Sequence, residues 1–133
     1  MSAEAVVYSL LSQSAAITAV VGDKVYPTVL PQGVHPPAVV YDLISSVPWG
    51  AIDAATTTHL MRSRVQVSLV GPDYADLHSM RADVVAALRH QRGTIAGAQV
   101  HAILLDMEGP PSFDDDLGLW LRPIDFIVLH QQA

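Results

Sequence analysis

Six histidines, thirteen acidic side chains and seven basic ones are the groups with which this 133-residue chain could do chemistry. The histidines are His35, His59, His78, His90, His101 and His130. Two imidazoles that share a metal from one helix stand four residues apart, as in HExxH, and no pair here has that spacing. Each histidine therefore reads as a surface or packed residue. Asp114, Asp115 and Asp116, followed by Gly118, form an acidic run. A calcium loop of the EF-hand kind needs carboxylates at positions 1, 3 and 5, glycine at 6 and a bidentate Glu at 12. Counted from Asp114, the glycine arrives one place early and the twelfth position is Asp125, in an apolar stretch. The run reads instead as a solvated hairpin tip. No GxSxG or SxxK nucleophile motif is present, and Gly93 with Gly97 matches neither a phosphate loop nor a dinucleotide fingerprint. Cysteine is absent, which removes disulfides, Cys-ligated zinc, iron–sulfur clusters and thiol catalysis together. The motifs point to no enzyme, no metal and no cofactor.

Two features suit binding better than catalysis. Trp49 lies in a stretch of small residues, where it is either an anchor for a protein partner or a lid folded back over the core. Arg62 and Arg64 alternate with apolar residues and so share one face of a strand. That face is either an ordinary solvated one with Asp42 nearby, or a subunit contact in which guanidinium forks meet carboxylates.

Half of the residues are apolar and 15% are charged, which excludes a disordered tail. Net charge is −6 and the isoelectric point about 5.2. A strongly basic nucleic-acid binder is excluded, because phosphate binding needs clustered Lys and Arg and the chain has a single lysine, Lys24. The length suits one domain with a real core. The N-terminus lacks the basic start of a signal peptide and no apolar run is long enough to span a bilayer, so a soluble, intracellular chain is expected.

The elements that position these groups follow from periodicity. Ala3, Val6, Val7, Leu10 and Leu11 have helical spacing over residues 3–13, with Ser2 as cap and Glu4 in the first turn. Ser14 starts a second short turn that Gly22 stops. Prolines between Pro27 and Pro37 impose an extended connection. Strands are expected over 38–45, 60–70, 99–107 and 119–130, with Val65, Val67 and Leu69 buried opposite Arg62 and Arg64. Asp73 is placed to cap a helix running to about Arg89, with Leu77, Met80, Val84, Val85 and Leu88 as its apolar stripe. In the third strand Ile103, Leu105 and Met107 should share a side. Pro123, inside the fourth, suggests an edge or a bulge. Residues 46–58 and 109–118 lack a period and are expected to be loops, mobile until a partner covers them. The order α-β-β-α-β-β predicts an α+β domain: a four-stranded antiparallel sheet covered by helices.

The chain also resembles a known family. Val20-Val21-Gly22-Asp23-Lys24-Val25-Tyr26-Pro27 follows a short N-terminal helix, and Pro31-Gln32-Gly33 leads on to Pro37-Ala38-Val39-Val40-Tyr41. Arg64-Val65-Gln66-Val67-Ser68, a helix, and Arg122-Pro123-Ile124-Asp125-Phe126-Ile127-Val128 complete the pattern. In order and spacing these segments are similar to the tail-terminator, or tail-completion, family of long-tailed bacteriophages and prophages.

That resemblance implies a structural virion protein without catalysis. It implies a single tail-terminator-like domain over 1–133 that forms a homo-hexameric ring on the finished tail tube. The ring would stop polymerisation of the tail tube protein and dock to the head–tail connector protein, while DNA passes through the lumen without specific binding. Its place would be the virion tail, after assembly in the host cytoplasm. Trp49, Arg62, Arg64, Asp114, Asp115 and Asp116 are the candidate residues for subunit or partner contacts. Another small head–tail joining protein, or a small α+β enzyme or ligand-binding domain, are the competing readings.

Overall fold

The computed structural model describes residues 2–48 and 59–132. Two helices open the chain, α1 (Ala3–Gln13) and α2 (Ala15–Val21). The Ser2 hydroxyl accepts the Ala5 amide at 3.2 Å, and the Ser14 hydroxyl accepts that of Ile17 at 3.4 Å. Ser14 thus ends one helix and starts the next, and the two axes diverge by 80°. Gly22, at φ +64°, closes α2 in a conformation that costs glycine least. Ala3, Val6, Val7 and Leu11 are buried from α1, as their spacing requires.

Strands β1 (Val25–Pro27), β2 (Ala38–Pro48) and β3 (His59–Gly71) follow, then helix α3 (Tyr74–Leu88). Strands β4 (Gly93–Ile95), β5 (Ala98–Glu108), β6 (Ser112–Asp114) and β7 (Leu119–Gln132) complete the fold. The sheet order is β1-β2-β3-β7-β5-β4, with β6 pairing β7 beyond the end of β5. Among the described residues every pairing is antiparallel except β1 with β2.

The α+β class stands, but the expected four-stranded antiparallel sheet is corrected to a mixed sheet with seven strands among the described residues. The four long strands are those the alternation indicates. The three short ones, three residues each, are too brief to carry a period of two. The last strand is inserted between β3 and β5, so it is central. Its Pro123 is tolerated because the Pro123 carbonyl receives the Gly109 amide at 2.8 Å. The N–H and C=O of a strand residue point to the same side, so the donor that proline lacks falls at the corner between β5 and β6, where the ladder is already interrupted.

Helices α1, α2 and α3 all contribute to one core on one face of the sheet. Leu77, Met80, Val84 and Leu88 of α3 meet Val65, Val67 and Leu69 of β3 and Ile124, Phe126 and Val128 of β7. Each such side chain contributes about 1.5–3 kcal/mol by burial. Asp73 holds the N-cap position of α3, but its side chain accepts no capping hydrogen bond, so that expected cap is corrected. Strand β2 runs on to Pro48, past the expected end at residue 45. In β5 the expected Ile103–Leu105–Met107 face is broken by irregularities between Val100 and Ala102 and between Leu105 and Met107. Ile103 is buried while Met107 is 57% exposed.

Candidate functional site

On the sheet face away from the helices, Arg62, Arg64, Gln66 and Ser68 project from β3 at alternate positions, as predicted. Arg64 is held within its own chain. Its guanidinium pairs with Asp106 and, at 3.2 Å, with the mostly buried Asp125. The Gln66 amide donates to the other oxygen of Asp125 at 3.1 Å. The hydrogen bond to Asp106 is the main reason the Arg64 guanidinium holds its proton more firmly than usual. The β5 bulge frees Asp106 from the ladder, as bulges do when they re-aim a side chain. Asp42, the carboxylate expected beside the arginines, lies opposite Gln66 instead.

A second ion-pair cluster ties α3 to the sheet. Arg81 donates to Glu108 at 2.7 Å, and Arg122 stands 3.6 Å from the same carboxylate. The hydrogen bond from Arg81, aided by both positive charges, lowers the Glu108 pKa below its ordinary value. Sequence reasoning missed Asp106, Glu108 and Asp125. Asp125 alone offered a signal, a carboxylate inside an apolar strand that needs a partner to be buried.

The acidic run forms a hairpin tip, as expected, but the stretch 109–118 is more ordered than a loop without a period suggests. It contains β6, and the Asp114 carboxylate accepts the amides of Asp116 at 3.0 Å and Leu117 at 3.2 Å. The Gly118 amide closes the turn on the Asp114 carbonyl at 2.8 Å. Asp115 and Asp116 point to solvent, and Leu117 beside them is 67% exposed. Under this hairpin, Trp120 meets Tyr74 edge-on with ring centroids 5.4 Å apart and Phe113 at 5.1 Å. Leu30, Val40, Val70, Leu119 and Leu121 line an apolar groove of about 210 Å³ next to Leu117.

At the opposite end of the long strands, Ser46, Ser63 and His130 make a polar chain. Ser46 and Ser63 hydroxyls share a hydrogen bond of 2.8 Å, and Ser63 Oγ lies 2.8 Å from His130 Nε2. Ser63 and His130 are buried, and burial lowers the His130 pKa below its ordinary value. Nearby, His90, Arg92 and His101 line an open groove with Ala102.

The structure does not bring the candidate residues together. Arg62 and Arg64 lie in the first half of β3, away from the hairpin, Asp114–Asp116 lie at the hairpin end, and Trp49 lies outside the described residues. Among the described residues no three His, Asp or Glu side chains converge on a metal position.

Comparison with known proteins gives the arrangement its context. The fold matches a chain in the virion of a native gene transfer agent particle with a TM-score of 0.76, over 98% of this chain and 95% of that one. Identity is 18%, so that likeness speaks to the fold. No curated protein sequence matches. The family model of tail completion protein gp17 matches residues 5–111, from α1 through the Gly109 corner. This chain belongs to the tail completion protein gp17 family and is a structural protein of phage-type tails.

Proposed function

We propose that this chain caps the tail tube of a phage-like particle: a single tail-terminator-like domain, six copies of which close into a ring. The ring stops further addition of tail tube protein and presents a surface to the head–tail connector protein, with DNA passing through its lumen unbound. The observation that carries this reading is the family match over residues 5–111. The fold likeness to a chain of a virion particle supports it, since the two agree over nearly their full lengths. A net charge of −6 suits a lumen through which DNA must slide, because it supplies no basic field to hold phosphates.

In this reading Arg62, Arg64, Trp49 and the Asp114–Asp116 tip belong to subunit or partner contacts. Arg64 contributes through the face it builds with Asp106 and Asp125, since its fork is already engaged. The test is electron microscopy of tails made with and without this protein. With it, tubes of uniform length should end in a six-fold ring and join heads. Without it, tubes should be overlong or headless. Capped tubes of normal length made in its absence would reject the assignment. Normal tubes that fail to join heads would instead mark another head–tail joining component.

A further inference from the structure

Seven basic side chains serve the chain, and the fold commits four of them internally. Arg64, Arg81 and Arg122 pair with Asp106, Asp125 and Glu108, and the Lys24 ammonium donates to the His35 carbonyl at 2.8 Å. Two of the others, Arg89 and Arg92, stand exposed in the turn that leaves α3. The His90 amide fastens that turn to the Ile103 carbonyl at 2.9 Å, and the bulge between Val100 and Ala102 turns His101 out beside it. His90, Arg92 and His101 thereby line a groove of about 380 Å³ whose wall, among the described residues, holds no carboxylate. A guanidinium fork flanked by imidazoles is a receptor for carboxylates.

The same chain carries a matching ligand at its other end. Asp115 and Asp116 are exposed at the hairpin tip, which Asp114 holds in shape through the amides of Asp116 and Leu117. Exposed Phe113 and Leu117 flank them with apolar surface. Ten residues of β7 separate this tip from Leu129, opposite Ala102, which is about 33 Å of strand. The helix dipole of α3 accounts for Asp76 in its first turn and Arg89 at its end. It does not reach Asp115, Asp116, Arg92 or His101, which stand off the helix.

We propose that the His90–Arg92–His101 groove receives the Asp115–Asp116 tip of a second copy of this chain. Groove and tip lie too far apart to meet within one subunit, and they are different surfaces. Their contact is therefore head-to-tail, the kind that propagates until a ring closes. This pairing rests on the self-assembly reading above and names the surfaces that meet.

The test uses two charge-reversed proteins, Asp115→Arg/Asp116→Arg and Arg89→Glu/Arg92→Glu, studied by sedimentation velocity at low and high salt, with circular dichroism to confirm folding. Each variant alone should self-associate about tenfold or more weakly than the wild type. An equimolar mixture should assemble again with the two variants alternating, because a basic tip then meets an acidic groove at one junction and an acidic tip meets a basic groove at the next. Wild-type assembly by either variant alone, or a mixture that stays dispersed, overturns the pairing and leaves the ring reading standing. A wild-type protein that stays monomeric in solution and forms no ring on tube ends overturns both. Binding of a short duplex DNA that is lost in the Arg89→Glu/Arg92→Glu protein, with self-assembly unchanged, assigns the groove to nucleic acid and overturns the proposal.

Discussion

Gly109 and Pro123 are locked together: the amide of one donates to the carbonyl of the other at 2.8 Å, and a Cβ on Gly109 would stand 2.6 Å from the Pro123 ring. The glycine is required here by space, since the chain must pass flat against a proline in the central strand. Gly109→Ala should destabilise the protein by about 1–3 kcal/mol, the usual cost of overpacking. Adding Pro123→Ala should recover much of that loss. Urea unfolding of the two variants checks this, and equal loss in both would place the strain elsewhere.

The core of α3 gives a second expectation. Leu88 is fully buried among residues of the helices and sheet, so Leu88→Ala should cost about 2–5 kcal/mol in thermal or denaturant unfolding. Val85, only partly buried, should cost less when truncated in the same way.

The hairpin tip separates a structural aspartate from two exposed ones. Asp114→Ala removes the acceptor for two turn amides and should speed hydrogen exchange at Asp116 and Leu117. Asp115→Ala should leave exchange there nearly unchanged. Equal acceleration in both would mean the carboxylate does not hold the turn.

Burial of His130 makes stability depend on pH. Its folded pKa lies below the ordinary 6.5, so between the two values the unfolded chain binds the proton that the folded chain refuses. The stabilisation is complete above about pH 6.5 and declines as pH falls toward the folded value, by at most about 1.4 kcal/mol per unit. Urea midpoints from pH 7.5 to 5 should show the decline, and His130→Asn should flatten it. The lowered Glu108 pKa acts in the same direction but only below its ordinary 4.5.

Much of this protein was legible in its sequence, because the governing interactions are local. Ser2 and Ser14 cap helices through atoms three residues away, and Gly22 ends one through its own backbone. The stripe from Leu77 to Leu88 and the alternation of Val65, Val67 and Leu69 with Arg64 and Gln66 reflect the repeats of helix and strand. The hairpin tip at Asp114 follows from turn chemistry, and the family resemblance from the order of such local signals.

Tertiary structure decided the rest, since it depends on residues far apart in the chain. Which carboxylate meets Arg64 is set by strand order and by a bulge, so Asp106 and Asp125 take the place expected of Asp42. The central position of β7, with Pro123 at a corner of the ladder, follows from how β5 and β6 share one side of that strand. His130 reaches Ser63 across sixty-seven positions of sequence. His101 is turned out beside Arg92 by a bulge that no pattern of residue types marks. Periodicity reports which face a residue takes, and only the register between distant strands determines what it meets there.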